Sequence, residues 1–334
     1  MHTDRRPEHR SMPIRAALLA AGIALGGLVV PTAGHAQYPS RPIKLMVTVS
    51  PGGGPDTIAR VIGEKLSPLL GQPVVVENRP GSNGNIAMEL VATSAPDGYS
   101  LIICADSMIA INPHLYSKMV DPLKDLQPVS TVAAQSNFFL SVHPSVPVKN
   151  FREFIEYAKR ANPPLAYASA GNGSQHQMAM EMLKLRAGIN LVHVPYKGGA
   201  PATTATLAGE VSAMFSGAST GPQISAGRLR GLAVTGRQRS PLFPDLPTVG
   251  EFYPGYLLTT WLGIFAPVGV PDAAISRLRT EIDKVLMMPD VKTRLNAAGG
   301  LEPYITTRQE FAELIRHDYE KYGTLVKQIK AKVD

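Results

Sequence analysis

The chain has 334 residues, 44% of them hydrophobic and 6% aromatic, with 33 Lys and Arg against 26 Asp and Glu for a net charge of +7. The charges are scattered rather than blocked, which argues against a nucleic-acid surface, and near-half apolar content with ordinary Gly and Pro excludes a disordered chain. A single cysteine, Cys104, excludes an intrachain disulfide and any cysteine-based zinc site.

Arg5, Arg6, Arg10 and Arg15 precede an uncharged apolar run over residues 16–30, followed by Pro31 and the small-residue site Gly34-His35-Ala36. This pattern predicts a secretory signal peptide over residues 1–36, cleaved after Ala36. The apolar run is shorter than the roughly 20 residues a membrane span needs, and no comparable run follows. The exported chain, from Gln37, carries about +5, a mild attraction for small anions.

Residues 43–49 form a nearly continuous apolar run rich in β-branched residues, which predicts a strand buried on both faces. Pro51-Gly52-Gly53-Gly54-Pro55-Asp56 follows, and then Ile58, Val61, Ile62, Leu66, Leu69 and Leu70 recur at helical spacing. Pro55 suits the first helical turn, where its missing N–H is no loss. A strand therefore hands over to a helix through three glycines, presenting bare backbone N–H groups at the positive end of a helix, a general anion site. Neither the Gly-Lys-Ser/Thr ending of a P-loop nor G-x-G-x-x-G is present, so no nucleotide is indicated.

Strands are expected at 73–77 and 100–104, with a helix at 85–93 between them, the alternation of a parallel α/β sheet. Asp106-Ser107 follows the third strand and should open on the same sheet edge as the triglycine turn. Residues 128–143 read as a long extended strand crossing between two lobes. A second α/β series follows, with strands at 165–168, 191–194, 211–215 and 229–235. Three of these strands end in small, N–H-rich turns: Ser169-Ala-Gly-Asn-Gly-Ser174, Pro195-Tyr196-Lys-Gly-Gly199 and Ser216-Gly-Ala-Ser219. Residues 257–266 form a second extended stretch, expected to pair with the first crossing strand and return the chain. Helices are expected at 274–287, 290–298 and 307–330.

No catalytic constellation is found. Ser174 and His176 are two apart on a helix and do not face each other, and Gly-Asn-Gly-Ser is not a G-x-S-x-G elbow. His114, His143, His176, His193 and His317 show no metal-ligand spacing and read as surface or capping residues. Cys104 reads as a small buried apolar residue.

Tyr38-Pro-Ser-Arg-Pro-Ile43, the triglycine turn, Gly71-Gln-Pro-Val-Val-Val-Glu-Asn-Arg-Pro-Gly81, Ala95-Pro-Asp-Gly-Tyr99, Asn112-Pro113, Tyr167-Ala-Ser-Ala-Gly-Asn-Gly-Ser174, Val192-His-Val-Pro-Tyr-Lys-Gly198 and Arg239-Ser-Pro-Leu-Phe-Pro-Asp-Leu-Pro-Thr248 occur in this order. Together they give a chain that resembles the Bug family, the TctC-type receptors of tripartite tricarboxylate transport, from Tyr38 almost to the C-terminus. The resemblance implies a periplasmic solute receptor with the α/β, two-lobed periplasmic-binding-protein (Venus flytrap, type II) fold. Each lobe is then a mainly parallel sheet flanked by helices, with residues 37–138 plus 258–334 in the first and 139–257 in the second. The implied ligand is a small organic acid whose carboxylate is held by backbone amides and ordered waters. Implied partners are membrane permease subunits, with no cofactor, no metal, no nucleic acid and a monomeric state.

Carried over by position, the ligand-binding residues are Gly53, Gly54, Asp56 and Ser107 from the first lobe and Asn172, Gly173, Ser174, Tyr196 and Ser216 from the second. Pro55 departs from the Thr or Ser of many members and removes a hydroxyl. Asp106 has no place in the pattern; a carboxylate there would repel the far end of a dianion or pair with an amino group. The alternatives are a ligand sensor docking with a membrane kinase and, disfavoured by the absent catalytic groups, a secreted enzyme on the same fold.

Overall fold

The computed structural model describes residues 1–2, 38–52, 54–298 and 300–329. The expected signal peptide, beyond its first two residues, and candidate Gly53 lie outside the described residues. Tyr38–Asp334 forms one compact unit, to which every element below belongs.

The first half alternates strand and helix as β1 (Ile43–Val47), α1 (Gly54–Leu70), β2 (Val74–Asn78), α2 (Asn85–Ala92), β3 (Ser100–Ala105), and the short α3 (Asp106–Ala110) and α4 (Pro122–Asp125). β4 (Leu126–Gln135) and β5 (Phe139–Val142) lead into α5 (Phe151–Arg160), β6 (Leu165–Ser169), α6 (Gln175–Ala187), β7 (Leu191–Pro195), α7 (Gly199–Leu207), β8 (Ala213–Ser216), α8 (Gly221–Ser225) and β9 (Arg230–Val234). The chain closes with β10 (Thr260–Pro267), α9 (Asp272–Leu286), α10 (Pro289–Ala297), β11 (Glu302–Pro303) and α11 (Arg308–Ile329). Local chemistry sets several of these boundaries. Asn150 and Ser174 cap α5 and α6 by accepting N–H bonds from Glu153 and Gln177, and Gly188 ends α6 in the left-handed conformation, φ 64°.

Two sheets result, ordered β11-β4-β10-β3-β1-β2 and β7-β6-β8-β5-β9. Helices flank each, giving the expected two-lobed α/β architecture. Both sheets are mixed rather than mainly parallel. β1 runs parallel to β2 and β3, and β6 to β7 and β8, but β10 is antiparallel to β3 and β4, and β5 to β8 and β9. The reason is topological: a strand entering a sheet from the other lobe needs no crossover helix and arrives reversed.

The expected single crossing strand is two strands. β4 pairs with β10 in the first sheet, the chain breaks at residues 136–138, and β5 joins the second sheet. The two connections are fastened at Thr235, which is fully buried. Its hydroxyl accepts from Phe138 N (2.9 Å) and donates to Leu258 O (2.7 Å). Its own N–H donates to Phe138 O, and Leu258 N donates to its carbonyl.

β1 alternates instead of being buried on both faces: Ile43, Leu45 and Val47 are buried, while Lys44 is exposed and reaches Glu77. The three pack with Ile58, Ile62 and Leu66 of α1 and with Ile275, Leu278 and Ile282 of α9. On the opposite face, Ile102 and Cys104 of β3 pack with Trp261, Phe265, Phe311 and Ile315. The Cys104 thiol is buried there and burial pushes its pKa up, as an inert apolar residue requires. α11 enters both cores: Phe311 and Ile315 belong to this cluster, whereas Tyr322, Leu325 and Val326 join Phe154, Tyr167 and Phe215 of the second lobe.

Candidate functional site

The triglycine turn ends on Gly54, the first residue of α1. Two residues on, the Asp56 carboxylate is buried and braces the turn. One oxygen accepts from Gly52 N (2.8 Å) and Arg60 Nε (3.1 Å), the other from Asn78 Nδ2 (2.8 Å) and Arg60 Nη2 (2.9 Å). Burial alone would raise the Asp56 pKa, but the bonds from Arg60, Gly52 and Asn78 and the guanidinium charge bring it below the ordinary value. Asp56 therefore holds the turn's shape, and its oxygens are occupied. Asn78, which also donates to Val49 O (2.9 Å), closes the brace from the end of β2.

Ser107 opens toward the same edge from the start of α3. Its N–H is taken by Asp106 (2.9 Å), but its hydroxyl has no partner among the described residues. Thr48, at the end of β1, also carries a buried hydroxyl without a partner and was not legible in the sequence. It stands beside the Gly84 turn, where an added Cβ would come within 3.1 Å of Thr48 and 2.6 Å of the Met108 sulfur.

In the second lobe the β6–α6 turn satisfies itself. Ser174 Oγ donates to Gly171 O (2.6 Å) while capping α6, and Gly173 N donates to Gln177 Oε1 (2.7 Å). His193 fastens the underside, with Nε2 2.6 Å from Ser169 Oγ and Nδ1 3.3 Å from Gln177 Nε2; burial lowers its pKa to about 4. The Gly173 N–H expected to meet a ligand is thus engaged already. What remains free in this turn, among the described residues, is the half-buried Asn172 side chain. Ser216 Oγ is 2.7 Å from Thr220 Oγ1, within its own lobe. Burial and the Glu210 carboxylate, to which its hydroxyl is bonded, raise the Tyr196 pKa.

Asp106, unplaced by the sequence, is a junction of the lobes. Fully buried, it accepts from Ser107 N, from Thr260 Oγ1 of β10 (2.6 Å) and from Gln175 Nε2 of α6, while Tyr322 of α11 donates to Gln175 Oε1 (3.2 Å). With its oxygens taken by these donors it is not free to pair with a ligand amine. Nothing in the sequence pointed to Gln175, Thr260 or Tyr322, because their meeting depends on how the lobes sit together.

The lobes also touch at two rims. An added Cβ on Gly173 (φ +79°) would come within 2.9 Å of Leu115 and 3.2 Å of Asn83; one on Gly300 (φ +69°) would come within 2.4 Å of Ala218. These contacts and the Asp106 junction are places where the lobes meet beside the strand-end turns. A depression of about 420 Å³ lined by Arg279, Asp283, Thr306 and Arg308 lies on α9 and the start of α11, away from those turns. Its two arginines are paired with Asp283 and Asp272.

Two α/β lobes joined by two connecting segments are the architecture of a bilobal solute receptor. Residues 58–331 match the model of the tripartite tricarboxylate transporter family receptor, and the chain belongs to that family. The chain is 32% identical to protein BugT of Bordetella pertussis over 324 residues, covering 95% of this chain and 98% of that protein. An R. palustris protein solved with adipate superposes with a TM-score of 0.82 at 32% identity, covering 89% of this chain and 100% of that one. MatC from Rhodopseudomonas palustris, solved with malate, gives 0.78 at 29% identity over 86% of this chain and 100% of that one.

Proposed function

We propose that the protein is a periplasmic receptor that closes two lobes on a small organic acid and delivers it to membrane permease subunits. The observation that carries this reading is that relatives of the same fold, at TM-scores of 0.82 and 0.78, hold adipate and malate. The lobes comprise residues 38–138 with 258–334, and 139–257, with the last half of α11 packed on the second. In this reading the ligand carboxylate meets the N-terminus of α1 at Gly53 and Gly54, with the Ser107 hydroxyl on the first lobe and the Asn172 amide on the second. Asp56, Gly173 and Ser174 shape these turns without touching the ligand, and Tyr196 and Ser216 support the second lobe. A ligand that bridges both lobes binds the closed form better and so shifts the population toward it. Export through the signal peptide, monomeric state and transport rather than sensing belong to the same proposal.

A thermal-shift screen of the chain from Gln37 against mono-, di- and tricarboxylates, amino acids and aromatic acids tests it. A ligand present at 100 times its Kd stabilises by about 2.7 kcal/mol. Gly54→Val keeps ordinary packing, since its Cβ would stand 3.6 Å from Ala298 O. It should therefore fold and lose about tenfold or more in affinity, because a charge-assisted bond is worth roughly 1.5–3 kcal/mol. No shift with any acid, or wild-type affinity in Gly54→Val, would refute the clamp.

A further inference from the structure

Asp106 is held between the lobes. It starts α3 in the first lobe, and Gln175, which donates to it, starts α6 in the second. Both are withdrawn from water, Asp106 completely and Gln175 to 5% exposure. Thr260 of β10 also donates to Asp106, and Tyr322 of α11 donates to Gln175. The cover over Asp106 is thus assembled from both lobes. In a receptor that closes as proposed, parting the lobes takes away Gln175, both as a donor and as a barrier to water.

The groups around Asp106 do not neutralise a carboxylate. From α11, Asp318 adds a like charge and accepts from Trp261 Nε1 (2.8 Å), while Lys321 directs its ammonium to Leu257 O (3.3 Å). Tyr322 of α11 and Cys104 of β3 are neutral, since burial raises the pKa of each. His176, beside Gln175 on α6, is uncharged at neutral pH because burial lowers its pKa to about 4. His114, following α3, has its Nε2 2.9 Å from Tyr319 O, and burial lowers its pKa as well. Only neutral donors therefore reach Asp106: the Ser107 N–H, the Thr260 hydroxyl and the Gln175 amide. A dry junction with no cation favours the acid over its anion, and burial raises the Asp106 pKa to about 8. With water admitted, the carboxyl returns toward the value of an exposed aspartate, about 3.9.

We propose that the lobes close over a protonated Asp106, so that binding of the ligand takes up a proton from solution and is favoured at lower pH. This rests on the receptor reading and adds a regulation to it. One proton passes from the solvent buffer to the Asp106 carboxylate on closure, and nothing else is exchanged. The coupling is reciprocal: a ligand that closes the lobes raises the affinity for the proton, and the proton raises the affinity for the ligand by the same factor. Each whole proton taken up weakens binding about tenfold per unit rise in pH.

Calorimetric titration of the chain from Gln37 with adipate and with malate, at pH 7 in PIPES and in imidazole, counts the protons, because the two buffers differ in their heat of ionisation. Wild type should take up about half a proton or more per acid bound, and its Kd should rise about threefold or more from pH 6.5 to pH 7.5. Asp106→Asn should take up none and hold its Kd within twofold over that range. Gln175→Ala, which lets water reach Asp106 in the closed form, should take up less than half the wild-type amount. Melting temperatures at pH 6.5 check that the variants fold; should Asp106→Asn fail to fold, Gln175→Ala carries the comparison. No uptake by wild type, or wild-type uptake in either variant, would overturn the proposal and leave the receptor reading in place. If neither acid binds, the acid giving the largest shift in the thermal screen replaces them, and a screen without any shift removes both.

Discussion

Removing a carboxyl group from water is costly unless its charge is matched or it keeps its proton. Asp106 has three donors but no cation within hydrogen-bonding distance, and burial, aided by the Asp318 charge, raises its pKa to about 8 against the pull of Thr260, Ser107 N–H and Lys321. A proton on the oxygen facing Gln175 is accommodated by turning over the Gln175 amide, which then donates to the Tyr322 hydroxyl. In the unfolded chain the same carboxyl titrates near pH 3.9. The folded state thus holds the extra proton between about pH 4 and pH 8. Its contribution to stability is fully present below that window and is lost as pH rises through the folded value. Asp106→Asn, which keeps the shape and cannot ionise, should flatten this dependence. Thermal melts at intervals from pH 5 to pH 8 should show a smaller decline for the variant than for wild type; parallel declines would mean that Asp106 is ionised throughout.

At the level of elements, the two connections between the sheets depend on one side chain. Thr235→Val preserves volume but removes the hydroxyl, leaving Phe138 N–H and Leu258 O each without a partner there. A buried group so stranded costs about 1–3 kcal/mol. Denaturant unfolding should give a lower midpoint with an unchanged slope, and a loss under about 0.5 kcal/mol would show that Thr235 does not tie the connections. The connections also show what was legible. Gly, Pro and apolar periodicity marked the strand-end turns of both lobes and most helices, because those signals are local. The break at residues 136–138 was not marked, since β4 and β5 are both apolar and only their sheet partners distinguish them. Likewise Asn172 and Ser107 were legible as polar residues of strand-end turns, but the capture of Gly173 N–H by Gln177 and of Tyr196 by Glu210 was not. A turn advertises its glycines; which neighbour takes each N–H depends on side chains that converge only after folding.

For the whole molecule, the two lobes meet at Gly173 and Gly300, and in a receptor that closes as proposed a glycine between the lobes has a mechanical consequence. At Gly300 a methyl group would lie 2.4 Å from the Ala218 methyl, closer than two carbons can approach, so the lobes must stay further apart. Gly300→Ala should therefore disfavour closure, and an acid that gains its affinity by bridging the lobes should bind about tenfold more weakly, or about 1.4 kcal/mol. The left-handed backbone at Gly300 (φ +69°) adds a local cost of its own, roughly 1 kcal/mol, that acts on folding whether the lobes are open or closed. Ala218→Gly separates the two effects, because it relieves the rim clash and leaves the strain. Solution scattering with saturating ligand should show wild type contracting, Gly300→Ala contracting less, and the double variant Gly300→Ala/Ala218→Gly regaining both contraction and affinity. If the single variant contracts and binds like wild type, the rim contact has no part in closure. If the double variant stays weak, the loss comes from the backbone at Gly300 rather than from the meeting of the lobes.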